Sequence, residues 1–352
     1  MKTISSSPHV HAKLTTPKAM LYVIFALLPS ALWGVYLFGF SALLVLVISI
    51  ASAVGVEYLL NRFSKEETIF DYSALLTGLL IGMNMPPKVP LFIPILASAF
   101  AIFVVKWTFG GLGANWMNPA LGGRVFVFFS FTTLMSSFAV PRTLAANTVS
   151  SATILSSLKT AVSSGATGSS LSLLEEATLP LTDFALSLGS TLHINPYAVD
   201  AFFGNIAGCI GEVSAFLLIL GGIFLIWKKV ITWHIPVIYI GSFALLNWIF
   251  GGIPNGLGIF SGEILLPVFS GGLILGSFFM ATDWVTTPTT IKGQVVFALG
   301  CGFFTFLIRN FGSLPEGTSL AIILMNIVTP TIERYMKPKK FGYVKPVKGA
   351  NK

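Results

Sequence analysis

Ten long apolar runs constrain this chain more than any other feature of its sequence. Five precede residue 141 and five follow residue 212, and most are near the roughly 20 apolar residues that a transmembrane helix needs. Only 10% of the 352 residues are charged, whereas a soluble domain carries about 25%. The deficit is too large for one buried helix in a soluble protein. The sequence therefore predicts an all-α polytopic membrane protein with about ten transmembrane helices.

The apolar runs also define the expected segments of the chain. We place the spans near residues 19–38, 40–60, 72–85, 91–107, 118–140, 213–227, 233–250, 264–281, 295–308 and 320–335. The resulting segments are an N-terminal segment 1–18, a first five-span repeat 19–140, a central loop 141–212, a second five-span repeat 213–335 and a basic tail 336–352.

The distribution of Lys and Arg predicts the orientation. With a cytoplasmic N-terminus, the short connectors expected inside and the basic tail hold most of the cations, in agreement with the positive-inside rule. Both termini are then cytoplasmic and the central loop is extracytoplasmic. The net charge of +8 lies largely in the tail, and a basic tail after an apolar span favours anionic membrane lipid over nucleic acid.

The two halves resemble each other weakly. In each half a short glycine-containing run is followed by proline, and then by an apolar span that ends in a cation and a Phe-Gly pair. The matching positions are Gly78 and Gly272, Gly82 and Gly276, Lys106 and Arg309, and Gly110 and Gly312. Because five spans is an odd number, a second copy inserts upside down, so the pattern predicts two inverted five-helix repeats with a site near the midplane. The alternative is that Gly and Pro are simply common in membrane helices.

A few polar residues fall in or beside the apolar runs. Arg124 lies one turn inside a helix that Asn118 can cap, and this free helix start with a guanidinium suits a phosphate or carboxylate. Glu212 opens the sixth span and Asp283 adjoins an expected helix break, and an ionisable group at membrane depth indicates function. We expect three further residues to be end-of-span groups that meet water, namely Glu57, Asp71 and Arg309. Neither the two cysteines nor the scattered histidines predict a metal site.

The central loop contains Ser-Ser-Gly-Ala-Thr-Gly-Ser-Ser at 163–170. Composition alone favours a flexible linker at this place. Small residues also make a threonine hydroxyl accessible to a modifying enzyme, although chemistry alone does not identify the modification.

Within this stretch, Ser164-Gly165-Ala166-Thr167 resembles the Ser-Gly-Ala-Thr flavinylation motif of Rnf and sodium-pumping NADH:quinone oxidoreductase complexes. The chain also carries Asn-Pro-Ala-Leu-Gly-Gly-Arg at 118–124, Gly-Glu-Val-Ser at 211–214 and Met-Ala-Thr-Asp at 280–283. Together these resemble, over nearly the whole chain, the family that contains the D subunits of Rnf complexes and the B subunits of the sodium-pumping enzymes.

The resemblance implies FMN joined through its phosphate to Thr167, with Ser164, Gly165 and Ala166 as the surrounding motif. Our further cofactor-binding candidates are Asn118 and Arg124, and we expect Arg124 to offset flavin or phosphate charge. A second, non-covalent flavin such as riboflavin is implied without a located site. One departure from the motif is Ala161 six positions before Thr167, where an acidic residue is common. Thr160 is the alternative attachment residue.

The resemblance also implies a subunit of a redox-driven ion pump that is not catalytic alone, in the bacterial cytoplasmic (inner) membrane. Electrons would pass between ferredoxin and NAD through Rnf subunits A, B, C, E and G, with the flavin-bearing G subunit as the nearest partner. Asp283 and Glu212 would serve the path of Na⁺ or H⁺, and the sequence leaves the choice of ion open. Two other classes fit the scaffold, which are a secondary transporter or channel of inverted 5+5 design without flavin, and a structural membrane anchor.

Overall fold

The computed structural model describes residues 14–64, 68–142, 152–177 and 179–337. Every regular element within these ranges is a helix. Most of the predicted N-terminal segment and basic tail, the middle of the charged connector after Ser64 and part of the central loop lie outside the described residues. Predictions about those parts are therefore unchanged.

The first half contains six helices. They are α1 (Thr16–Phe38), α2 (Phe40–Ser64), α3 (Ser73–Met83), α4 (Phe92–Phe100), α5 (Pro119–Ser130) and α6 (Thr132–Met135). A 3₁₀ turn (Ile69–Asp71) precedes α3, and α4 continues as a π-helical stretch (Ala101–Trp107). Gly39 separates α1 from α2 with φ of 77°, a left-handed conformation that glycine adopts without strain.

The central loop is folded into four short helices. They are α7 (Ile154–Ser163), α8 (Ser170–Glu176), α9 (Asp183–Leu192) and α10 (Pro196–Phe203). Each begins with a side-chain N-cap, supplied by Thr153, Ser169, Thr182 and Asn195. Three hydroxyl residues of the loop therefore start helices, and the described part of the loop is a folded segment and not a flexible linker.

The loop helices share an apolar core with the second half of the chain. Ile154, Leu174 and Tyr197 are buried together with Leu266, which lies in α13 (Leu265–Phe269). The Tyr197 hydroxyl donates to the Leu174 and Leu179 carbonyls at 3.3 and 3.2 Å. These contacts pack the loop against the second half of the chain, so the loop is held by more than its two ends.

The second half contains α13 and five other helices. These are α11 (Ala215–Trp227), α12 (His234–Phe250), α14 (Leu273–Leu275), α15 (Ile291–Asn310) and α16 (Thr318–Tyr335). The predicted span 264–281 is broken between α13 and α14, where Gly271 and Gly272 have φ of 64° and 68°. After the break, α14 continues as a π-helical stretch (Gly276–Met280).

Helices occupy all ten predicted apolar runs, and three of them, α1, α2 and α15, are long and apolar enough to cross a membrane. Shorter apolar helices include α3, α5, α11 and α12. These helices support an integral membrane protein. The number of ten spans, the segment boundaries and the inverted repeat stay predictions.

One apolar core joins the two halves. α1 packs against α11, and α5 packs against α16. Met83 at the end of α3 is buried beside Ile210, and the Gly211 amide donates to the Met83 carbonyl at 2.8 Å. The Asn118 amide nitrogen donates to the Met280 carbonyl at 3.2 Å, so the start of α5 is tied to the end of the broken helix.

Candidate functional site

The Ser164–Thr167 motif forms the C-terminal cap of α7. The Gly165 amide donates to the Val162 carbonyl at 3.0 Å, and the Ala166 amide donates to the Ala161 carbonyl at 3.1 Å. This pair of bonds is a Schellman motif, which requires a left-handed residue at the glycine position. Gly165 has φ of 89°, and a Cβ there would meet no atom within 4 Å. The glycine is therefore required by backbone conformation and not by space.

Thr167 lies immediately beyond this cap and is exposed. The next residue, Gly168, donates its amide to the Asn255 carbonyl at 3.1 Å. A Cβ on Gly256 would lie 2.9 Å from the Thr167 methyl carbon, so the α12–α13 connection supports that face of the threonine. Among the described residues the Thr167 hydroxyl has no hydrogen-bond partner. The side chain is thus held by its neighbours while its oxygen is accessible.

A cavity of about 280 Å³ opens beside the motif, between α7 and the second half of the chain. Ser163 and Asn255 line it near Thr167, and Phe243 and Arg309 line it farther inside. Arg309 is buried, and its two terminal nitrogens donate to the Pro267, Ser270 and Gly271 carbonyls and to the Thr318 hydroxyl. The expectation that Arg309 is an end-of-span residue in water is therefore wrong, because α15 carries it into the protein.

Arg124 and Glu212, predicted separately, lie in one buried ion-pair network. An Arg124 terminal nitrogen is 2.7 Å from Glu316 Oε2 and 3.4 Å from Glu212 Oε1, and the other donates to the Ser319 hydroxyl. A Cβ on Gly272 would lie 2.6 Å from Glu212 Oε1, so glycine permits this close approach. The network connects α5 with the segments before α11 and α16. Glu316 was missed because it reads as a loop residue in sequence.

Cys209, Glu212 and Glu316 bring their ligand atoms within 4.8 Å of one another. The Arg124 guanidinium contacts all three side chains, with its nitrogen 3.8 Å from the Cys209 sulfur. One cation already contacts both carboxylates and balances one of their two charges, so this cluster is better explained as an ion-pair network than as a metal site.

Asn118 and Asp283 lie on a second cavity, of about 350 Å³ and mostly apolar. Asn118 caps α5 as predicted, accepting from the Ala120 and Leu121 amides at 3.0 and 3.4 Å. Asp283 is half-buried at the end of the broken helix and accepts from the Thr286 hydroxyl at 3.3 Å. The structure thus brings these two predicted residues to one space, while Arg124 and Glu212 lie in another.

Lys106 also lines the second cavity and forms a buried ion pair that the sequence did not indicate. Its Nζ is 2.7 Å from Glu57 Oε1 and donates to the Ser73 hydroxyl at 2.7 Å. The side chains of Lys106 and Glu57 are only 6% and 4% exposed. The expectation that Glu57 meets water is therefore wrong. Asp71, the third such residue, is half-buried and accepts from the Ser73 amide at 2.7 Å.

Comparison with known proteins identifies the family. Residues 3–342 match the NQR2, RnfD, RnfE family. The D subunit of the Na⁺-translocating ferredoxin:NAD⁺ oxidoreductase complex of Acetobacterium woodii is 40% identical over 352 residues, covering 99% of this chain and 98% of the relative. The D subunit of the proton-translocating ferredoxin:NAD⁺ oxidoreductase complex of Clostridium ljungdahlii is 42% identical over 341 residues, covering 97% and 96%.

A more distant relative agrees. The D subunit of the ion-translocating oxidoreductase complex of Salmonella paratyphi A is 36% identical over 359 residues, covering 97% of this chain and 99% of the relative. The chain therefore belongs to the NQR2, RnfD, RnfE family.

Proposed function

We propose that this chain is the membrane-embedded D subunit of an Rnf-type, ion-translocating ferredoxin:NAD oxidoreductase, and that it carries FMN covalently on Thr167. The relatives named above, which match nearly the whole chain, support the complex. The accessible Thr167 hydroxyl, placed by a rigid helix cap inside the flavinylation-like motif, supports the attachment. As one component of a redox-driven pump, the chain is not catalytic alone.

The residues around Thr167 fit a phosphoester at that oxygen. The hydroxyl is exposed and unpaired among the described residues, so a phosphate there displaces no existing hydrogen bond. The bound flavin would supply the electron-transfer chemistry. The chain itself supplies the tether at Thr167, the fixed cap at Gly165 and the contact with Asn255 that holds the attachment point against the second half.

The attachment residue can be tested with two matched alanine variants. Thr167→Ala should remove the FMN-sized mass increment of the intact chain and its in-gel flavin fluorescence. Thr160→Ala should retain both, because Thr160 lies within α7 and its hydroxyl donates to the Ser156 carbonyl at 2.9 Å. The protein should come from cells that contain the attaching enzyme. Fluorescence that persists in Thr167→Ala would reject Thr167 as the attachment residue. A wild-type chain without the increment would reject covalent attachment altogether and favour a flavin-free transporter.

A second, non-covalent flavin such as riboflavin is proposed for the 350 Å³ cavity lined by Asn118. Its mostly apolar wall suits a flat aromatic ring, and amides such as Asn115 and Asn118 suit the ring's polar edge. Denaturing the Thr167→Ala protein and separating the released flavins by chromatography tests whether this second flavin is present. Release of one flavin per chain is expected, and release of none would contradict it.

We further propose that Asp283 and Glu212 lie on the path of the transported ion, which is Na⁺ or H⁺. For Arg124 and Asn118 a role in offsetting flavin charge stays a prediction. Their contacts with Glu316 and Met280 support a role in joining the two halves. The proposed setting is the bacterial cytoplasmic membrane with both termini cytoplasmic. The proposed partners are Rnf subunits A, B, C, E and G, and the loop would face the flavin-bearing G subunit most closely.

A further inference from the structure

The 280 Å³ cavity lies near Thr167, between α7 and the second half of the chain. Ser163, at the end of α7, and Asn255, whose carbonyl holds the Gly168 amide, both line its outer part. Its inner part reaches Phe243, which is fully buried in α12. A group fixed to Thr167 by a flexible chain of single bonds therefore has a preformed space next to it.

The charges on the cavity wall are predominantly positive. Lys159 and Arg309 line it, and Glu263 is the acidic residue on the same wall. Burial raises the pKa of the Glu263 carboxyl, which disfavours its negative form. Two cationic side chains and one carboxyl therefore line the cavity, so it favours a ligand that carries or gains negative charge.

Arg309 also has an unused donor at this place. The residue is 8% exposed, and its Nε–H has no hydrogen-bond partner among the described residues, whereas each of its two terminal nitrogens donates to at least one backbone carbonyl. The guanidinium carbon lies 5.1 Å from the centre of the Phe243 ring. A buried donor without a partner is costly unless something binds it. A ligand with acceptor atoms on its edge would supply the partner that this donor lacks.

We infer that this cavity receives the ring system of the FMN joined to Thr167, with Arg309 and Lys159 on its polar edge. The inference rests on the proposed covalent attachment and adds where the ring lies and which residues act on it. The volume of about 280 Å³ is near the lower end for ligand sites, which begin at roughly 300 Å³, and the ribityl phosphate would remain outside.

Lys159 is a positioning residue in this arrangement. Its Nζ donates to the Arg309 and Leu314 carbonyls at 3.0 and 2.8 Å and lies 3.5 Å from the Ile308 carbonyl. It thereby fastens α7, which ends in the motif, to the C-terminal end of α15. Its charge lies on the wall of the same cavity, so it fixes the geometry and also contributes to the electrostatics.

Filling the cavity tests the location of the ring. Val162→Trp places a large side chain on the cavity wall, and Thr160→Trp places the same side chain on the exposed face of α7. Flavin attachment is first measured by intact mass, and acrylamide quenching of native flavin fluorescence then measures ring exposure. We expect weak quenching in the wild type and in Thr160→Trp, and at least severalfold stronger quenching in flavinylated Val162→Trp.

Changing the charge tests the role of Lys159 without filling the cavity. A positive charge near a group that becomes more negative on reduction raises its midpoint potential. Lys159→Gln should lower the midpoint potential of the covalent flavin, Lys159→Arg should restore it, and Lys292→Gln, an exposed charge at the other end of α15, should leave it unchanged.

The outcomes separate the two proposals. A wild-type chain without the mass increment rejects the covalent attachment and the ring site together. If the wild type is flavinylated but acrylamide quenches its flavin as strongly as it quenches free FMN, the attachment stands and the ring site is overturned. Equal potentials in Lys159→Gln and the wild type overturn the role of Lys159, even if Val162→Trp is not flavinylated.

Discussion

Replacing Lys106 with methionine should destabilise the protein strongly, because it leaves a buried carboxylate without its cation. Lys106 Nζ is 2.7 Å from Glu57 Oε1, and both side chains are almost completely buried. The same Glu57 oxygen also accepts from the Thr68 hydroxyl at 2.6 Å, while Oε2 has no partner among the described residues. One hydroxyl donor does not compensate for the lost ammonium.

The expected magnitude follows from the burial of both groups. Removing one partner of a buried ion pair costs about 3–5 kcal/mol. At about 1.4 kcal/mol per tenfold change, the folded-to-unfolded ratio should fall about a hundredfold or more. The double variant Lys106→Met with Glu57→Gln removes both charges and retains an acceptor for Thr68. It should recover most of the loss, because a neutral pair carries no such desolvation penalty.

Unfolding by SDS in mixed micelles, followed by tryptophan fluorescence, measures these differences. Lys228→Met is the matched control, because Lys228 is exposed and its Nζ lies over aromatic faces, 4.2 Å from the Trp227 ring centre. Its cost should stay within about 1 kcal/mol. The reasoning would be refuted if Lys106→Met lost no more unfolding free energy than the control. It would also be refuted if the double variant were no more stable than Lys106→Met alone.

Three further substitutions test other contacts. Gly165→Ala should lower the local stability of the helix cap by about 1–2 kcal/mol, because alanine must adopt φ of 89°. Faster hydrogen exchange at the Ala166 amide measures this loss, and Gly165→Asn should exchange at a rate closer to that of the wild type. Asn118→Ala should cost about 1 kcal/mol or more in SDS unfolding, since it removes the α5 cap and the bond to Met280, whereas Asn118→Asp retains the cap. Glu316→Ala should cost about 1.5–3 kcal/mol in the same assay by removing the 2.7 Å charge-assisted bond to Arg124.

The sequence predicted the helical scaffold well because hydropathy and caps are local signals. All ten apolar runs contain helix, and Asn118-Pro119 starts α5 as its chemistry indicates. The position of the Ser164–Thr167 motif was also readable, since a short sequence marks it. The break between α13 and α14 was only suggested, because the glycines there read equally well as ordinary membrane-helix residues.

The partners of the buried charges were not predictable from local patterns. Lys106 is 49 residues from Glu57, and Arg124 is 192 residues from Glu316. Such pairs depend on how helices pack, and each residue alone resembles a helix-end charge that meets water. The loop was misread for a related reason, since its capping hydroxyls and its core residues, such as Leu174 and Tyr197, are dispersed among small polar residues.

The core that the loop shares with α13 has a mechanical consequence. Leu266 and Phe269 belong to the shorter arm of a broken helix, yet they pack into the same interior as Ile154 at the start of α7. A tilt of that arm would therefore move α7 with it, and Thr167 beyond the cap of α7 would move as well. The distance between a group attached to Thr167 and a neighbouring protein would then depend on the tilt of α13.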